Sequence, residues 1–289
     1  MSPMQPPTSI DPDTPVAMTV AGSDSGGGAG IQADLLTFEG FGVHGTSAIT
    51  CLTAQNPDSV SEVFPATAPF VLEQMQQLAR YFEIRALKTG MLFSEEIIRT
   101  VAGFLEEHPE IPAVVDPVMV ATSGAVLLQE AAIDSVKRHL LPRAALITPN
   151  LDEAAVLAGE RAADTDAMVE AGRRLCAEYG CAVLMKGGHL EGERVIDVLI
   201  APGEEPRRFD YSRVREVNTH GSGCLFSAAI TAGLSLGYPL GQAVARARAF
   251  LQAGMNSPKS LGGRRFINPS AKPASEGWLA AHSRIPPEA

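Results

Sequence analysis

A loop of small and polar residues, Asn218-Thr219-His220-Gly221-Ser222-Gly223-Cys224, stands directly before the apolar run 225–236. The backbone N–H groups of such a loop can converge on an anion, and the helix predicted behind it adds the positive end of its dipole. The same field lowers the pKa of a thiol in the first helical turn and favours the thiolate of Cys224. A tight turn into a buried helix is the structural alternative, because Gly-Ser-Gly is ordinary turn material. The candidates for phosphoryl-transfer chemistry are Gly221, Ser222, Gly223 and Cys224.

A second glycine-rich stretch, Gly22–Gly30, follows a predicted strand and opens a predicted helix. It is not a P-loop, because no Gly-Lys-Ser or Gly-Lys-Thr closes it. Residues 28–33 fit the degenerate G-x-G-x-x-A dinucleotide pattern, but residues 45–54 lack the acid which that pattern needs for a ribose. The other use of the glycines is close approach of the backbone to a small planar ligand, with Asp24 or Asp34 as the polar contact. Asp34 could equally be an exposed carboxylate in the first turn of a helix.

Further side chains are suited to a heterocycle, a phosphate or a metal ion. The Gln55 amide can donate and accept at the edge of a heterocycle, and the Met91 sulfur can cover a flat ring. Glu153, three residues after Asn150, can hold a Mg²⁺ that neutralises phosphate charge. Lys186, followed by two glycines, can contact a phosphate. The structural alternatives are a solvated loop glutamine, a core methionine, an ordinary helix start and a lysine that reaches solvent at a strand end.

Length, charge and cysteine content limit the class of protein. The chain has 289 residues, and its formal net charge of −10 argues against a nucleic-acid partner. Its four cysteines show neither C-x-x-C spacing nor the density of a disulfide scaffold, which indicates a reducing compartment. No apolar run reaches membrane-spanning length, and residues 1–15 lack the features of a signal peptide. These observations predict a soluble cytoplasmic protein with no membrane partner and a disordered tail at residues 1–15.

The elements that must position these residues alternate between strands and helices. Strands are predicted at 16–20, 47–54, 60–64, 86–89, 113–115, 145–148 and 182–186, with a hairpin at 195–200 and 207–211. Helices are predicted at 31–41, 69–81, 97–107, 130–141, 151–157, 167–179, 225–236 and 242–256. The alternation predicts an α/β fold with a mostly parallel sheet covered on both faces. We expect one domain over residues 16–267 and a C-terminal tail over 268–289.

Polar or flexible side chains follow six of the predicted strands. In open parallel sheets the ligand crevice lies outside the carboxyl ends of the strands, so these residues should share one rim. Loops hold such residues in any protein, and about half of the set could serve only that purpose. The six residues are Asp24, Gln55, Met91, Asp116, Asn150 and Lys186.

With these segments assembled, residues 16–267 resemble the hydroxymethylpyrimidine/phosphomethylpyrimidine kinases of thiamine biosynthesis, in the ribokinase-like superfamily. The motifs that carry the resemblance are Ala-Gly-Ser-Asp through Gly-Gly-Ala-Gly-Ile-Gln-Ala-Asp (21–34), Thr-Ala-Gln-Asn (53–56), Lys-Thr-Gly-Met-Leu (88–92), Asp-Pro-Val-Met-Val (116–120), Thr-Pro-Asn-x-x-Glu (148–153), Lys-Gly-Gly-His (186–189) and Thr-His-Gly-Ser-Gly-Cys (219–224). The seven motifs occur in the family order. The resemblance implies a ribokinase-like three-layer αβα sandwich, ATP and Mg²⁺ as cofactors, and a homodimer.

The resemblance also implies roles for individual residues. Gly221–Gly223 would form an anion hole over the transferring phosphate, and Cys224 stands where many ribokinase-like sugar kinases carry an aspartate base. The implied pyrimidine-binding residues are Gln55, Asp34, Gly22, Met91 and Val118. The candidate ATP-binding residues are Lys186, Asn150 and Thr219, and the candidate Mg²⁺ ligands are Glu153 and Asp116.

Two departures from the family pattern concern loops. Ser25-Gly26 replaces the common Pro-Ser, which should loosen the loop because glycine costs more entropy to order. Thr122 stands where many members have lysine in a flap, which removes a charged phosphate contact there. Ser222 for threonine is conservative in a site built from backbone groups.

The expected reaction is two successive phosphoryl transfers from ATP, first to the hydroxymethyl oxygen of 4-amino-5-hydroxymethyl-2-methylpyrimidine and then to its monophosphate. Cys224 would take or orient the alcohol proton in the first transfer. A pyridoxine/pyridoxal kinase on the same scaffold is the close alternative. An NAD-dependent oxidoreductase and a non-catalytic vitamin-binding module are the alternatives from other classes.

Overall fold

The computed structural model of the protein describes residues 14–119 and 130–271. Its strands are β1 (Val16–Asp24), β2 (His44–Asn56), β3 (Ser59–Pro65), β4 (Ile84–Thr89), β5 (Ala113–Val115), β6 (Leu146–Ile147), β7 (Ala182–Met185), β8 (Arg194–Ile200), β9 (Arg207–Ser212), β10 (Lys259–Leu261) and β11 (Arg264–Phe266). Its helices are α1 (Gly30–Gly40), α2 (Ala68–Tyr81), α3 (Glu95–Glu107), α4 (Glu130–Ser135), α5 (Leu151–Ala158), α6 (Thr165–Tyr179), α7 (Ser222–Ser235) and α8 (Leu240–Asn256). No helix in these ranges is both long enough and apolar enough to span a lipid bilayer.

The main sheet has the strand order β3-β2-β1-β4-β5-β6-β7-β8-β9. The six strands from β2 to β7 in this order are mutually parallel. Antiparallel strands extend both edges, β3 against β2 on one side and β8 and β9 beyond β7 on the other. Because the six central strands point the same way, the loops that follow them gather at one edge of the sheet.

Helices cover both faces of this sheet. One core contains the inward residues of α2, α3, α5 and α6, such as Val71, Ile98 and Leu175. The other contains residues of α7 and α8, such as Ala229 and Val244. Helix α7 is apolar on nearly all sides because it lies between the sheet and α8 and is buried along most of its length. The predicted three-layer αβα sandwich with a mostly parallel sheet is confirmed.

Several elements have bounds that differ by a few residues from the predicted ones, and two segments differ in kind. The predicted helix 130–141 is broken up: α4 ends at Ser135, a π-helical turn follows at Val136–Leu140, and a 3₁₀ turn ends the segment. The hairpin β10–β11 was not predicted, because its short strands are mostly exposed and carry no apolar alternation. Its turn, Gly262-Gly263, has positive φ at both residues, and that glycine pair was the available sequence signal.

Candidate active site

A cavity of about 300 Å³ opens at the carboxyl ends of the parallel strands. The prediction of one shared rim is confirmed, since all six strand-exit residues line this cavity. They are Asp24, Gln55, Met91, Asp116, Asn150 and Lys186. Residues from the loop before α7 line the same cavity, so the two halves of the predicted site meet in one place.

The segment Asn218–Cys224, called the anion loop below, comprises the loop before α7 and the first residues of that helix, and it presents free backbone donors to the cavity. Gly221 caps α7 in the left-handed region, with φ of 78°. Ser222 N–H donates to the Thr219 carbonyl, and Leu225 N–H donates to that of Gly221. The N–H groups of Gly221, Gly223 and Cys224 donate to no backbone group within residues 14–119 and 130–271. Three free donors at the positive end of a 14-residue helix are suited to an anion.

Charged side chains meet the anion loop at Gly223. A Cβ placed on Gly223 would lie 3.5 Å from Asp116 Oδ2 and 3.5 Å from Lys186 Nζ. Lys186 Nζ donates to Asp116 Oδ1 at 2.8 Å and lies 3.8 Å from Glu153 Oε2. Burial opposes the charge of Lys186, but Asp116 and Glu153 together raise its pKa to about 12. The site therefore holds a permanent cation beside the free amides.

Glu153 and Asn150 form a capping box at the start of α5. Asn150 Oδ1 accepts from the Asp152 and Glu153 N–H groups, and Glu153 Oε2 accepts from Asn150 N–H at 2.7 Å. Asn150 and Glu153 therefore form an ordinary helix start, as the structural alternative predicts. Both residues also line the cavity. Burial raises the pKa of Glu153 to about 7, with Asp116 adding to the effect and Lys186 opposing it.

The two candidate Mg²⁺ ligands, Glu153 and Asp116, both line the cavity. Within the described ranges no group of three or more His, Cys, Asp or Glu side chains could hold a metal ion alone. Mg²⁺ beside phosphates needs only one or two carboxylates, the rest of its shell being phosphate oxygens and water. Asp116 and Glu153 lie 2.8 and 3.8 Å from the Lys186 amine, and a further cation beside the buried carboxyl of Glu153 would favour its charged form. The donor set fits a Mg²⁺ shared with a nucleotide.

Cys224 faces the cavity but is not the thiolate that the helix field predicts. Burial raises the pKa of Cys224 to about 11, and the carboxylates of Asp34 and Asp116 act in the same direction. Lys88 and the N–H of Gly30 lower the pKa without offsetting the burial. The expectation of a thiolate is corrected to a neutral thiol at rest, because desolvation and the nearby carboxylates oppose the charged form.

Asp34 is buried and is not among the residues that line the cavity, so its predicted contact with a ligand stays a prediction. Its side chain is fully buried and accepts from Lys88 Nζ at 2.8 and 2.9 Å and from Thr19 Oγ1 at 2.6 Å. The alternative of an exposed helix-start carboxylate is wrong, because this side chain is buried. Lys88 lines the cavity, and its buried positive charge needs the Asp34 carboxylate as a partner.

The remaining predicted pyrimidine-binding residues, Gln55, Gly22, Met91 and Val118, all line the cavity. Gln55 Oε1 accepts from Thr53 Oγ1 at 3.1 Å, which orients the amide. A Cβ on Gly22 would lie 2.8 Å from Cys51 Sγ and 3.7 Å from Met91 Sδ, so this wall has room only for glycine. Thr219 also lines the cavity, whereas Thr122 lies outside the described residues.

The glycine loop, residues 24–30, is not an anion site. Asp24 Oδ1 accepts from Gly26 N–H at 2.7 Å, and Oδ2 accepts from Gly28 N–H at 3.1 Å and Ala29 N–H at 2.8 Å. Although burial disfavours the charge, these bonds and one from His220 hold the pKa of Asp24 below its usual range. Because the loop amides are bound to a carboxylate of the same chain, they are not free for a pyrophosphate. This geometry argues against the dinucleotide interpretation of residues 28–33.

Sequence reasoning missed two sets of cavity residues. His220, in the anion loop, contacts Asp24 Oδ2 through Nε2 at 2.9 Å, a pair separated by 196 positions that no local pattern could reveal. The other set comes from β8, α7 and α8, where the buried Arg248 lies 3.5 Å from Asp197 and 5.0 Å from the centre of the Tyr211 ring. The cavity residues of this set are Val195, Asp197, Phe226, Arg248, Leu251, Gln252 and Met255.

Sequence comparisons place the chain among known kinases. A sequence model of the phosphomethylpyrimidine kinase family matches residues 24–269. The hydroxymethylpyrimidine/phosphomethylpyrimidine kinase of Rhizobium meliloti is 44% identical over 249 residues, covering 86% of this chain and 93% of that protein. The thiamine biosynthesis bifunctional protein ThiED of Geobacter sulfurreducens is also 44% identical, over 85% of this chain, which spans 50% of the ThiED length.

Solved structures agree with the fold. The pyridoxal kinase of Bacillus subtilis, in an ADP complex, has a TM-score of 0.82 and 35% identity, covering 90% of this chain and 98% of that one. The phosphomethylpyrimidine kinase of Clostridium difficile has a TM-score of 0.73 and 37% identity, covering 83% and 98%. With a family match over most of its length and relatives above 40% identity, the chain belongs to the phosphomethylpyrimidine kinase family and has its ribokinase-like α/β fold.

Proposed function

We propose that the protein phosphorylates 4-amino-5-hydroxymethyl-2-methylpyrimidine and then its monophosphate, with ATP as donor in both steps. One observation carries the proposal: an amide oriented for a heterocycle, Gln55, shares a cavity with the free donors of the anion loop and with Lys186. The relatives from Rhizobium meliloti and Haemophilus influenzae are named for both activities.

The pyrimidine lies against Gly22, Met91 and Val118 with its amino edge toward Gln55. The Gln55 amide offers one acceptor for the amino group and donors for a ring nitrogen, which matches that edge of an aminopyrimidine. The thin wall at Gly22 lets the ring approach the backbone, and the Met91 sulfur covers its face.

In the first transfer the hydroxymethyl oxygen attacks the γ-phosphorus of ATP, a new P–O bond forms, and the bond to the ADP oxygen breaks. The N–H groups of Gly221, Gly223 and Cys224 and the Lys186 amine hold the charge of the transferring group. Asn150 and Thr219 contact the nucleotide beside them. Cys224, a neutral thiol at rest, orients the alcohol, and the alcohol proton passes to an oxygen of the transferred phosphoryl group.

In the second transfer a phosphate oxygen of the monophosphate attacks the γ-phosphorus of another ATP and yields the diphosphate. This nucleophile is already anionic at neutral pH, so it needs little help from a base. Glu153, with Asp116, would hold Mg²⁺, which neutralises phosphate charge in both steps. Positioning and electrostatic stabilisation supply most of the rate enhancement.

Phosphorus-31 NMR of the purified protein with Mg-ATP and the hydroxymethylpyrimidine tests the proposal. We expect signals of the pyrimidine monophosphate and then of the diphosphate, in sequence, as ATP is consumed. Hydrolysis of ATP without either product, or no consumption at all, would contradict it.

Pyridoxal phosphorylation is a second candidate, favoured by one observation. The pyridoxal kinases of Bacillus subtilis and Staphylococcus aureus superpose with TM-scores of 0.82 and 0.80, above the 0.73 of the Clostridium difficile phosphomethylpyrimidine kinase. Repeating the NMR experiment with pyridoxal decides between the substrates. If phosphate appears only on pyridoxal, the protein is a pyridoxal kinase and not a kinase of the hydroxymethylpyrimidine.

We also propose that the protein is a cytoplasmic homodimer whose kinase domain spans residues 16–267. Large exposed apolar side chains on β2, β3 and α2 support the dimer. Leu52 and Phe64 face each other across β2 and β3 and are 51% and 70% exposed, and Phe70 on α2 is 60% exposed. All four cysteines are free thiols, as a reducing compartment favours.

A further inference from the structure

Three segments that line the cavity, namely the glycine loop, the anion loop and the strand that carries Gln55, come together at the adjacent residues Asp24 and Ser25. Asp24 is the last residue of β1 and lies on the cavity wall with only 3% of its surface exposed. Its carboxylate accepts three N–H bonds from the glycine loop, which fixes that loop against the end of β1. A fully bonded buried carboxylate is a rigid point from which other groups can be positioned.

The same carboxylate holds the anion loop through His220. His220 Nε2 lies 2.9 Å from Asp24 Oδ2, and its side chain is 9% exposed. Beside this contact Gly221 is pressed against the glycine loop: a Cβ on Gly221 would lie 1.8 Å from the Gly28 carbonyl oxygen. The free donors of the anion loop therefore take their position from the glycine loop, with Asp24 and His220 as the side-chain connection.

Ser25 holds the segment that carries Gln55. Its hydroxyl donates to the Gln55 carbonyl at 2.8 Å and accepts from Gln55 N–H at 2.8 Å. These two bonds oppose the loosening that the departure Ser25-Gly26 predicts, since a proline at this position has no hydroxyl. The Gln55 amide nitrogen also lies 3.5 Å from His220 Nε2. Because His220 Nε2–H donates to Asp24, that nitrogen does not accept, and the Gln55 donors stay available for a ligand.

We propose that Asp24 and His220 are a positioning pair that fixes the distance between Gln55, which binds the ring, and the anion loop, which binds the transferring phosphate. This inference rests on the proposed function, because it assigns the ring to Gln55 and the phosphate to the anion loop. Neither side chain touches the reacting atoms. Their effect is to keep the attacking oxygen and the phosphorus in line, where a displacement of about 1 Å costs on the order of a hundredfold in rate.

Two substitutions of His220 separate positioning from other roles. His220→Leu keeps the volume but removes the donor to Asp24, and His220→Gln restores an N–H donor at a similar reach. We expect kcat for the hydroxymethylpyrimidine to fall about tenfold to a hundredfold in H220L, with little change in the KM for ATP. We expect H220Q to recover most of the loss. His108→Leu is the matched control, because His108 makes a comparable contact with Glu110 at 3.0 Å on the surface and does not line the cavity.

Ser25→Ala tests the attachment of the Gln55 segment to the glycine loop, in a variant that leaves Asp24 and His220 unchanged. Loss of the hydroxyl frees Gln55 but not the anion loop, so the KM for the pyrimidine should rise about threefold to tenfold while kcat changes little. If the residues had a purely structural role, the variants would have lower melting temperatures, but H220L would not act mainly on kcat and S25A would not act mainly on the KM for the pyrimidine. Thermal unfolding of each variant is measured beside the kinetics.

Wild-type kcat in H220L would overturn the proposal, and so would H220Q as impaired as H220L, which would mean that the imidazole ring itself is needed. Equal losses in H220L and H108L would also overturn it. Failure of the proposed function is a separate result: the wild-type protein would phosphorylate only pyridoxal. The same variants assayed on pyridoxal then test the pair, because it connects the two loops whichever ring is bound.

Discussion

Cys224 experiences two opposing influences, the positive end of α7 and the loss of solvent. The first lowers the pKa of a thiol, and the second raises it. Burial raises the pKa of Cys224 to about 11. Sequence position alone predicts the dipole but not the depth of burial, which depends on how α7 packs against the sheet.

The resting state of Cys224 can be measured by alkylation. With a pKa of about 11, fewer than about one molecule in a thousand carries the thiolate at pH 7. We expect iodoacetamide to modify Cys224 slowly at pH 7, with a rate that rises with pH and has no plateau below pH 9. Mass spectrometry of the peptide containing Cys224 gives the rate at each pH. Fast modification that is independent of pH from 6 to 8 would show a resident thiolate instead.

Replacing Cys224 should affect the two transfers unequally. The alcohol needs a group that orients it, whereas the monophosphate is already anionic, so Cys224→Ala should slow the first transfer more than the second. Single-turnover assays with each pyrimidine substrate measure the two rates. Cys181→Ala is the control, because Cys181 is also a free thiol but does not line the cavity. Equal losses in both transfers would remove Cys224 as a group specific to the alcohol.

At the scale of elements, the site depends on two loops that are fixed by contact with each other. The glycine loop is fixed by Asp24, and the anion loop packs on it at Gly221 and Gly28. The capping box of Asn150 and Glu153 fixes α5 in the same region, beside Lys186. The glycine loop keeps its shape through its own hydrogen bonds to Asp24. The contact between Gly221 and Gly28 then sets the direction of the free N–H groups in the anion loop.

A pair of glycine substitutions separates backbone conformation from this contact. Gly221 and Gly237 both have positive φ, 78° and 81°, but a Cβ would clash with the Gly28 oxygen only at Gly221. Gly237→Ala should cost about 1 kcal/mol in unfolding free energy, with activity preserved. Gly221→Ala should destabilise the protein further and lower kcat by at least about a hundredfold, because the anion loop must move. Denaturant unfolding and steady-state assays of both variants measure these effects, and similar results for the two would mean that the contact has no role.

The same elements show what the sequence could predict. Strand exits were found because Gly, Pro or polar residues end apolar runs, as at Thr89-Gly90-Met91 and Val115-Asp116-Pro117. The pairs Asp34 with Lys88 and Asp24 with His220 were not found, because their partners are 54 and 196 positions apart. Arg248 gave no signal either, since an arginine in an amphipathic helix is normally exposed, whereas here Asp197 and two aromatic rings surround it. Local pattern locates an element, but only packing shows which charges become buried.

At the scale of the whole molecule, the edge of the sheet at β3 exposes the facing pair Leu52 and Phe64, and α2 exposes Phe70; these three residues form the proposed dimer surface. Exposed large apolar residues at a sheet edge are typical of an interface between subunits. This edge continues from Gln55, on the same β2–β3 hairpin, so a second copy seated on it would also stabilise one wall of the cavity.

A charge in this surface should dissociate the proposed dimer. We expect Phe64→Glu to elute as a monomer in size-exclusion chromatography with light scattering, at concentrations where the wild-type protein is a dimer. Val156→Glu is the control, because Val156 is 44% exposed on α5, away from this edge. A dimer that persists in F64E would place the interface elsewhere.

The internal bonding of the glycine loop has a consequence for inhibitor design. Asp24 has taken up the amides of that loop and adds a negative charge to its part of the cavity wall, while the free N–H groups of Gly221, Gly223 and Cys224 and the Lys186 amine add positive charge. An acidic group on an inhibitor is therefore attracted by these donors and repelled by Asp24. A selective compound would carry its single anion on the arm that points to α7 and present only neutral, flat surface toward β1.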